Sequence, residues 1–278
     1  MNESDTFTIG GEFTVKRLGY GAMRLTGPDI IGPPEDEAYA REVLTHAVSH
    51  GVDFIDTADS YGPGVSERLI GEALAPDDAV VATKAGLLRN TDGDWLPHGD
   101  PDYIRNQALV SRDRLGVDAI DVYQLHTPRS ETPLEESITA FAELKDEGII
   151  KHIGLSNVSV SQLETARDHV DVVTVQNRYN IGYREDEPVL EACEEYDIGF
   201  IPWYPLTAGE LLSELEAVSS AHDATPYQIA LAWLLDHSEV MLPIPGTSSI
   251  AHLEENLAAS QITLSDDEYA ELTALAEP

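Results

Sequence analysis

Positive charge is scarce in this chain. Its 278 residues carry 16 Lys and Arg against 51 Asp and Glu, a formal net charge of −35. The lysines are Lys16, Lys84, Lys145 and Lys151, and no Lys or Arg follows Arg184. Without a basic patch to offset phosphate charge, nucleic-acid binding is excluded. The acids are spread along the chain rather than clustered, which argues against an acidic docking surface for a basic partner. Such self-repulsion destabilises a compact state at ordinary ionic strength. At molar salt the Debye length falls to about 3 Å and most of the repulsion is screened. The expectation is a halophilic, cytoplasmic protein.

Other absences narrow the choice further. A single cysteine, Cys193, rules out an intramolecular disulfide and fits a reducing compartment. It sits in a helical pattern and reads as a small core residue, not a nucleophile. No apolar run reaches the ~18 residues of a membrane span. The start, Met1-Asn2-Glu3-Ser4-Asp5, is acidic and has no signal-peptide pattern. No His-x-His pair occurs, which disfavours a metal-dependent hydrolase. His46, His50 and His169 fall in helical patterns where an exposed face is the default, and no metal is implied. No exposed apolar stripe stands out, so a monomer is the default.

What the chain does have is a long alternation of apolar runs and amphipathic segments. Hydrophobic residues make up 42% of it, enough for a large core, and no Pro/Gly/Ser-rich linker divides it, so one domain spanning 1–278 is expected. Strands are predicted over 15–20, 54–57, 79–83, 119–125, 149–155, 172–176, 199–203 and 240–244. They are short and mostly apolar, as strands covered on both faces are. Helices are predicted over 37–50, 66–75, 102–115, 134–147, 159–169, 187–196, 226–237, 250–258 and 266–276. Asp100-Pro101, Thr132-Pro133 and Thr225-Pro226 each place a capping oxygen before a proline at the first helical position. A doubly wound sheet would need a helix opening at a Gly-rich turn after its first strand. Here Leu18-Gly19-Tyr20-Gly21-Ala22 leads into a long loop instead. The pattern fits an α/β fold, a (β/α)8 TIM barrel in a single domain, with residues 1–15 as a hairpin on its floor.

Barrel strands converge at their C-terminal ends on one mouth. Asp56, Tyr61, Lys84 and His126 all lie at or just past such ends. A carboxylate, a phenol, an ammonium and an imidazole gathered there make a proton-transfer site. Each has a plain reading alone, Asp56 as a turn cap and Tyr61 as loop packing; together they point to chemistry.

The segment from Gly51 to Gly62, with Ala82-Thr83-Lys84, Gln124-Leu125-His126, Gly154-Leu155-Ser156-Asn157 and Val175-Gln176-Asn177, resembles the aldo-keto reductase superfamily. Trp203-Tyr204-Pro205-Leu206, Ile244-Pro245-Gly246-Thr247-Ser248-Ser249 and Glu255-Asn256 extend the resemblance over roughly the whole chain. Leu18 to Met23, Gly32-Pro33-Pro34 and Gly246 to Leu253 resemble a bacterial and archaeal branch that includes pyridoxal reductases. The resemblance implies reduction of a small-molecule aldehyde or ketone. Tyr61 would be the proton donor, Lys84 would lower its pKa, Asp56 would hold Lys84, and His126 would polarise the substrate oxygen.

It also implies a nicotinamide site. Ser156, Asn157 and Gln176 would hold the carboxamide, and Trp203 would stack on the ring with Pro205 and Leu206 beside it. Gly246, Thr247 and Ser249 would cradle phosphate at a helix N-terminus. Glu255 and Asn256 would contact the adenine end, and His252, when protonated, a 2′-phosphate. Members preferring NADPH usually carry Lys near Gly246 and Arg near His252; this chain has neither. The implied cofactor is NADP(H), with NAD(H) the alternative. Met23, Arg24, Trp95 and Thr127-Pro128-Arg129 are candidates to line the substrate mouth, where pyridoxal is one possible occupant. A nucleotide-binding redox sensor or partner subunit with little turnover is the alternative function.

Overall fold

The computed structural model describes residues 5–206 and 211–275. The chain opens on an antiparallel hairpin, β1 (Thr6–Ile9) and β2 (Phe13–Lys16). Then come β3 (Tyr20–Gly21), α1 (Glu37–Ser49), β4 (Phe54–Asp56), α2 (Val65–Ala73) and β5 (Val80–Ala85). A second hairpin, β6 (Leu87–Arg89) and β7 (Trp95–Pro97), precedes α3 (Pro101–Leu115) and β8 (Ile120–Leu125). The alternation continues through α4 (Leu134–Asp146), β9 (Ile150–Ser156), α5 (Val160–Arg167), β10 (Val172–Arg178), α6 (Glu187–Tyr196) and β11 (Gly199–Trp203). It ends in α7 (Leu212–Ala221), α8 (Pro226–His237), α9 (Ile250–Ala258) and α10 (Asp266–Thr273). Ala276, the expected end of the last helix, and Met1 to Ser4 of the expected floor segment lie outside the described residues.

Seven strands form one parallel sheet in the order β11-β10-β9-β8-β5-β4-β3. The eighth strand expected over 240–244 is not regular. Pro243 and Pro245 have no N–H to give to a ladder. The segment closes the barrel nonetheless. Phe200 N–H donates to Val240 O (2.8 Å), Leu242 N–H to Phe200 O (2.7 Å) and Gly19 N–H to Pro243 O (2.9 Å). The fold is the (β/α)8 barrel, its last position filled by an irregular segment.

The first barrel strand is shorter than expected over 15–20. Lys16 N–H is taken by Asp53 Oδ1 (2.8 Å), and Arg17 turns to donate to Leu235 and Ser238 carbonyls (2.7 and 2.9 Å). Pairing with β4 therefore begins only at Tyr20. The opening hairpin packs at the strands' N-terminal ends, where Phe7 lies against Gly199 and Phe13 meets His152 edge-on. Asp100 and Thr225 cap α3 and α8 as expected. At α4 the expected Thr132 cap fails by one residue, for Pro133 is itself the cap and offers no side-chain acceptor. The predicted 37–50 and 159–169 helices end earlier, at Ser49 and Arg167. Helix α7 was not foreseen; its serines depress helix propensity, and buried Leu215 and Val218 anchor it. Among the described residues, no helix is long and apolar enough to cross a membrane.

Candidate active site

The strand ends deliver their polar side chains to a cavity of about 490 Å³. Asp56, Tyr61, His126, Ser156, Asn157, Gln176, Trp203, Pro205, Leu206 and Gly246 line it. Lys84 lies beneath, fully buried. Its ammonium donates to both Asp56 oxygens (2.7 and 2.8 Å) and to the Thr57 carbonyl (2.7 Å). All three of its donors are thus committed. Gln176 donates to Asp56 Oδ1 as well (2.7 Å). Burial pulls the lysine below its ordinary pKa, while Asp56 pulls the other way.

The interior of the barrel is built to hold this pair. Thr174 hydroxyl donates to Gln124 Oε1 (3.2 Å), and a Cβ at Gly154 would collide with both side chains. Glycine at that position therefore leaves room for polar groups that a larger residue would displace.

Above the pair, Tyr61 and His126 meet edge to face with centroids 5.9 Å apart. Trp95 completes an aromatic wall, 6.4 Å from Tyr61 and 6.5 Å from His126. Lys84 Nζ sits 5.3 Å from the Tyr61 ring centroid, with no proton left for the hydroxyl. The expected lowering of the phenol's pKa by Lys84 is not found. Burial first, then Asp56, Asp59 and Tyr204, push it well above the ordinary value. Asp56 neutralises the ammonium, so the phenol stays protonated. Burial, then Lys84, hold His126 well below the usual histidine range, so its imidazole is neutral.

The expected cofactor residues divide into two groups. In the cavity, Trp203 Nε1–H donates to Asn157 Oδ1 (3.1 Å), and Asn157 Nδ2 donates to the His126 carbonyl (2.9 Å) and to Ser156 Oγ (3.0 Å). Asn157 thereby orients both Trp203 and the His126 backbone. It adopts a left-handed φ of 59°, as does Tyr204 at 56°. For a bulky tyrosine this is a true outlier, of the kind that gathers at functional sites.

Outside the cavity lie Thr247 and Ser249, just before α9, and His252, Glu255 and Asn256 within it. Ser249 caps that helix, and its N–H is held by Thr247 Oγ1 (3.1 Å). Thr247 O accepts from buried Tyr20 OH (2.5 Å). His252 is exposed, and Glu255 accepts from Thr225 hydroxyl (2.8 Å) at the start of α8.

Of the residues proposed for the mouth, Met23, Arg24 and Trp95 line the cavity, whereas Thr127, Pro128 and Arg129 do not. Five lining residues went unforeseen as site residues: Gly21, Ile30, Leu87, Tyr204 and Ile244. So did Arg89, whose guanidinium stacks 3.7 Å from the Trp95 ring centroid while bonding the Ile30, Asp29 and Gly93 carbonyls. The signal was present: Asn90-Thr91-Asp92-Gly93 between two short apolar runs reads as a hairpin, which holds Trp95 over the mouth.

The geometry suits a nicotinamide dinucleotide. A flat indole fixed by Asn157 borders the cavity beside hydroxyl and amide groups. Gly21 and Gly246 lie so close that a Cβ on Gly246 would press to 2.9 Å from Gly21 O, so glycine there keeps the cavity rim before α9 free of side chains.

Comparison with known proteins agrees. The description of the aldo/keto reductase family matches residues 17–277. An uncharacterised oxidoreductase of Schizosaccharomyces pombe is 46% identical over 94% of this chain and 87% of its own. Pyridoxine 4-dehydrogenase of Escherichia coli is 43% identical over 98% of both chains. A solved aldo/keto reductase from Klebsiella pneumoniae, in complex with NADP and acetate, superposes with a TM-score of 0.83 at 26% identity, covering 98% of this chain and 95% of that one. This chain therefore belongs to the aldo/keto reductase family and is an NAD(P)H-dependent oxidoreductase.

Proposed function

We propose that this protein interconverts a small aromatic aldehyde, pyridoxal among them, and its alcohol, using NADP(H) in preference to NAD(H). The observation that carries the reading is the pairing of a protonated Tyr61 with a neutral His126 in one aromatic mouth above the buried Lys84–Asp56 pair. A nicotinamide bound here supplies a hydride to the carbonyl carbon, or takes one from the alcohol in the reverse direction.

Tyr61 delivers the proton to the developing alkoxide, a role its raised pKa allows because the hydroxyl never ionises beforehand. His126 donates a second hydrogen bond to the same oxygen. Ser60 Oγ, 3.4 Å from His126 Nδ1, can donate to that nitrogen, and in this arrangement the hydrogen sits on Nε2, free to do so. Lys84 does not touch the reacting oxygen; it holds Asp56 and the strand ends in register. Ser156, Asn157 and Gln176 form the polar edge that receives a carboxamide, with Trp203 as the stacking surface and Pro205 and Leu206 at its side. Thr247, Ser249 and His252 face the phosphate end, and Glu255 and Asn256 the adenine end. The aromatic wall of Trp95, Tyr61 and His126 supports a ring-bearing substrate, as does the named activity of the Escherichia coli relative.

The test follows nicotinamide absorbance with NADPH and NADH in parallel, against pyridoxal and benzaldehyde. Tyr61→Phe is expected to lower kcat by about 10²–10⁴-fold, the range for losing a general acid. Quenching of tryptophan fluorescence by the cofactor should be unchanged in that variant. Full turnover by Tyr61→Phe would overturn the assignment, and NADH outperforming NADPH would reverse the cofactor preference. Binding without turnover in the wild type would favour a redox sensor.

A further inference from the structure

Away from the active site, His46 and His50 lie one turn apart on α1, and Glu254 faces them from α9. Each offers a ligand atom, and these atoms all fall within 4.8 Å of one another. His46 Nε2 is 2.9 Å from Glu254 Oε1, and the two imidazoles stack with centroids 3.9 Å apart and planes 21° from parallel. We propose that His46, His50 and Glu254 form a binding site for a divalent transition-metal ion of the Zn²⁺, Co²⁺ or Ni²⁺ class, bridging α1 and α9.

The i, i+4 spacing puts both imidazoles on one helical face. His50 Nδ1 lies 2.9 Å from the His46 carbonyl, which can only accept, so Nδ1 carries the hydrogen and the neutral ring keeps its lone pair on Nε2. A backbone carbonyl fixing the distal nitrogen is the arrangement that metal-binding histidines commonly have. The carboxylate of Glu254 likewise only accepts, so His46 Nε2 carries the hydrogen before the ion arrives. The ion takes the place of that hydrogen, which passes to Nδ1 of a neutral ring or leaves an imidazolium for solvent, and gains Nε2 of both rings and one Glu254 oxygen.

Ligands at about 2.0–2.2 Å around a tetrahedral ion stand about 3.4 Å apart. Closing from the observed spread asks the exposed His50 ring to turn out of its stack on His46, exchanging its bond to the His46 carbonyl for the metal bond. Exposure leaves the fourth position to water. Two imidazoles and one carboxylate favour Zn²⁺-class ions over Mg²⁺ or Ca²⁺, which prefer all-oxygen ligands.

Besides the His46–Glu254 contact, the two helices meet where Ile250 N–H at the start of α9 donates to Tyr39 OH of α1 (3.3 Å). The ion would strengthen the first of these ties to the helix that opens with Ser249. The site is independent of the catalytic assignments above, and its test does not read activity.

The chain, stripped with a chelator, is titrated with ZnCl₂ alone by calorimetry, and its thermal unfolding is followed in parallel. One ion per chain is expected, with Tm rising with Zn²⁺ as one-site binding to the folded state requires. His50→Ala and Glu254→Gln should each weaken binding by more than about tenfold, since even outer partners of such ligands matter by about 10–100-fold. His169→Ala, at an exposed histidine beyond α5, should bind as the wild type does, and Mg²⁺ should leave Tm unmoved. Equal Zn²⁺ affinity in His50→Ala would overturn the site, as would the absence of one-to-one binding in the wild type.

Discussion

Asp59 concentrates the unusual electrostatics of the loop after β4 in one side chain. Its Oδ2 accepts from Tyr103 OH (2.6 Å) and Gln107 Nε2 (2.9 Å), while buried Oδ1 meets no donor. Burial, opposed by the Tyr103 hydrogen bond and reinforced by Glu67, pushes its pKa up to about 7. From the unfolded value of about 3.9 up to that point, the folded protein keeps a proton that the unfolded chain has lost. The fold therefore binds more protons than the unfolded chain, and this group's contribution to stability falls as pH rises through that window, then levels off. Asp59→Asn removes the titration. Urea unfolding at about pH 5 and about pH 8 should show the wild type losing about 2–3 kcal/mol more than the variant across that interval. Equal losses would mean that Asp59 is already ionised in the folded protein at the lower pH. Only the fold exposes this role: Asp59-Ser60-Tyr61 reads locally as a polar loop, and nothing near it in the chain announces that Tyr103 and Gln107 bury it.

At the scale of elements, the irregular eighth segment decides how the rim of the cavity beside Gly246 is built. Pro243 within the segment and Pro245 just past it keep 240–244 from pairing as a strand, and close packing of glycines takes over the task. A Cβ on Gly21 would come within 2.6 Å of Ile244 O, an encounter with backbone that no side-chain rotation relieves. Gly21→Ala should cost about 1–3 kcal/mol in urea unfolding, as overpacking does. Because Gly21 and Gly246 both line the cavity, it should also weaken NADPH binding measured by fluorescence quenching. Unchanged stability would show that β3 and the 240–244 segment can slide apart. The strand-end outliers Asn157 and Tyr204 belong to the same scale, since each turns a side chain or backbone at the mouth as its strand terminates.

For the molecule as a whole, the balance of charge dominates. Several of the few cations are drawn into ion pairs on the surface: Arg68 joins Glu37 and Glu72, Arg41 reaches the same two, and Arg105 bonds Glu143. Exposed pairs of this sort contribute roughly 0–1 kcal/mol each, far short of offsetting an excess that leaves −35. Salt weakens the pairs but relieves a larger number of repulsions. Raising KCl from about 0.1 M to about 2 M should therefore increase Tm, and more than the same osmolality of a neutral solute. A Tm that falls with KCl would show the ion pairs outweighing the repulsion and remove the argument for adaptation to molar salt.

Features that depend on neighbours in the chain were legible before any coordinates. Apolar runs marked six of the barrel strands, capping residues such as Asp100 and Thr225 marked helix starts, and the rule that parallel strands deliver their C-terminal ends to one mouth placed Asp56, Tyr61 and His126 together. Contacts across the fold were not legible. Gln176 donates to Asp56 from 120 residues away, and His46 meets Glu254 across 208. Neither the raised pKa of Tyr61 nor the orphaned oxygen of Asp59 follows from residue type, because both arise from water excluded by distant elements. Periodicity and capping are governed by bonds within a few residues and can be read along the chain; burial and charge compensation are set by whatever the closed barrel brings alongside.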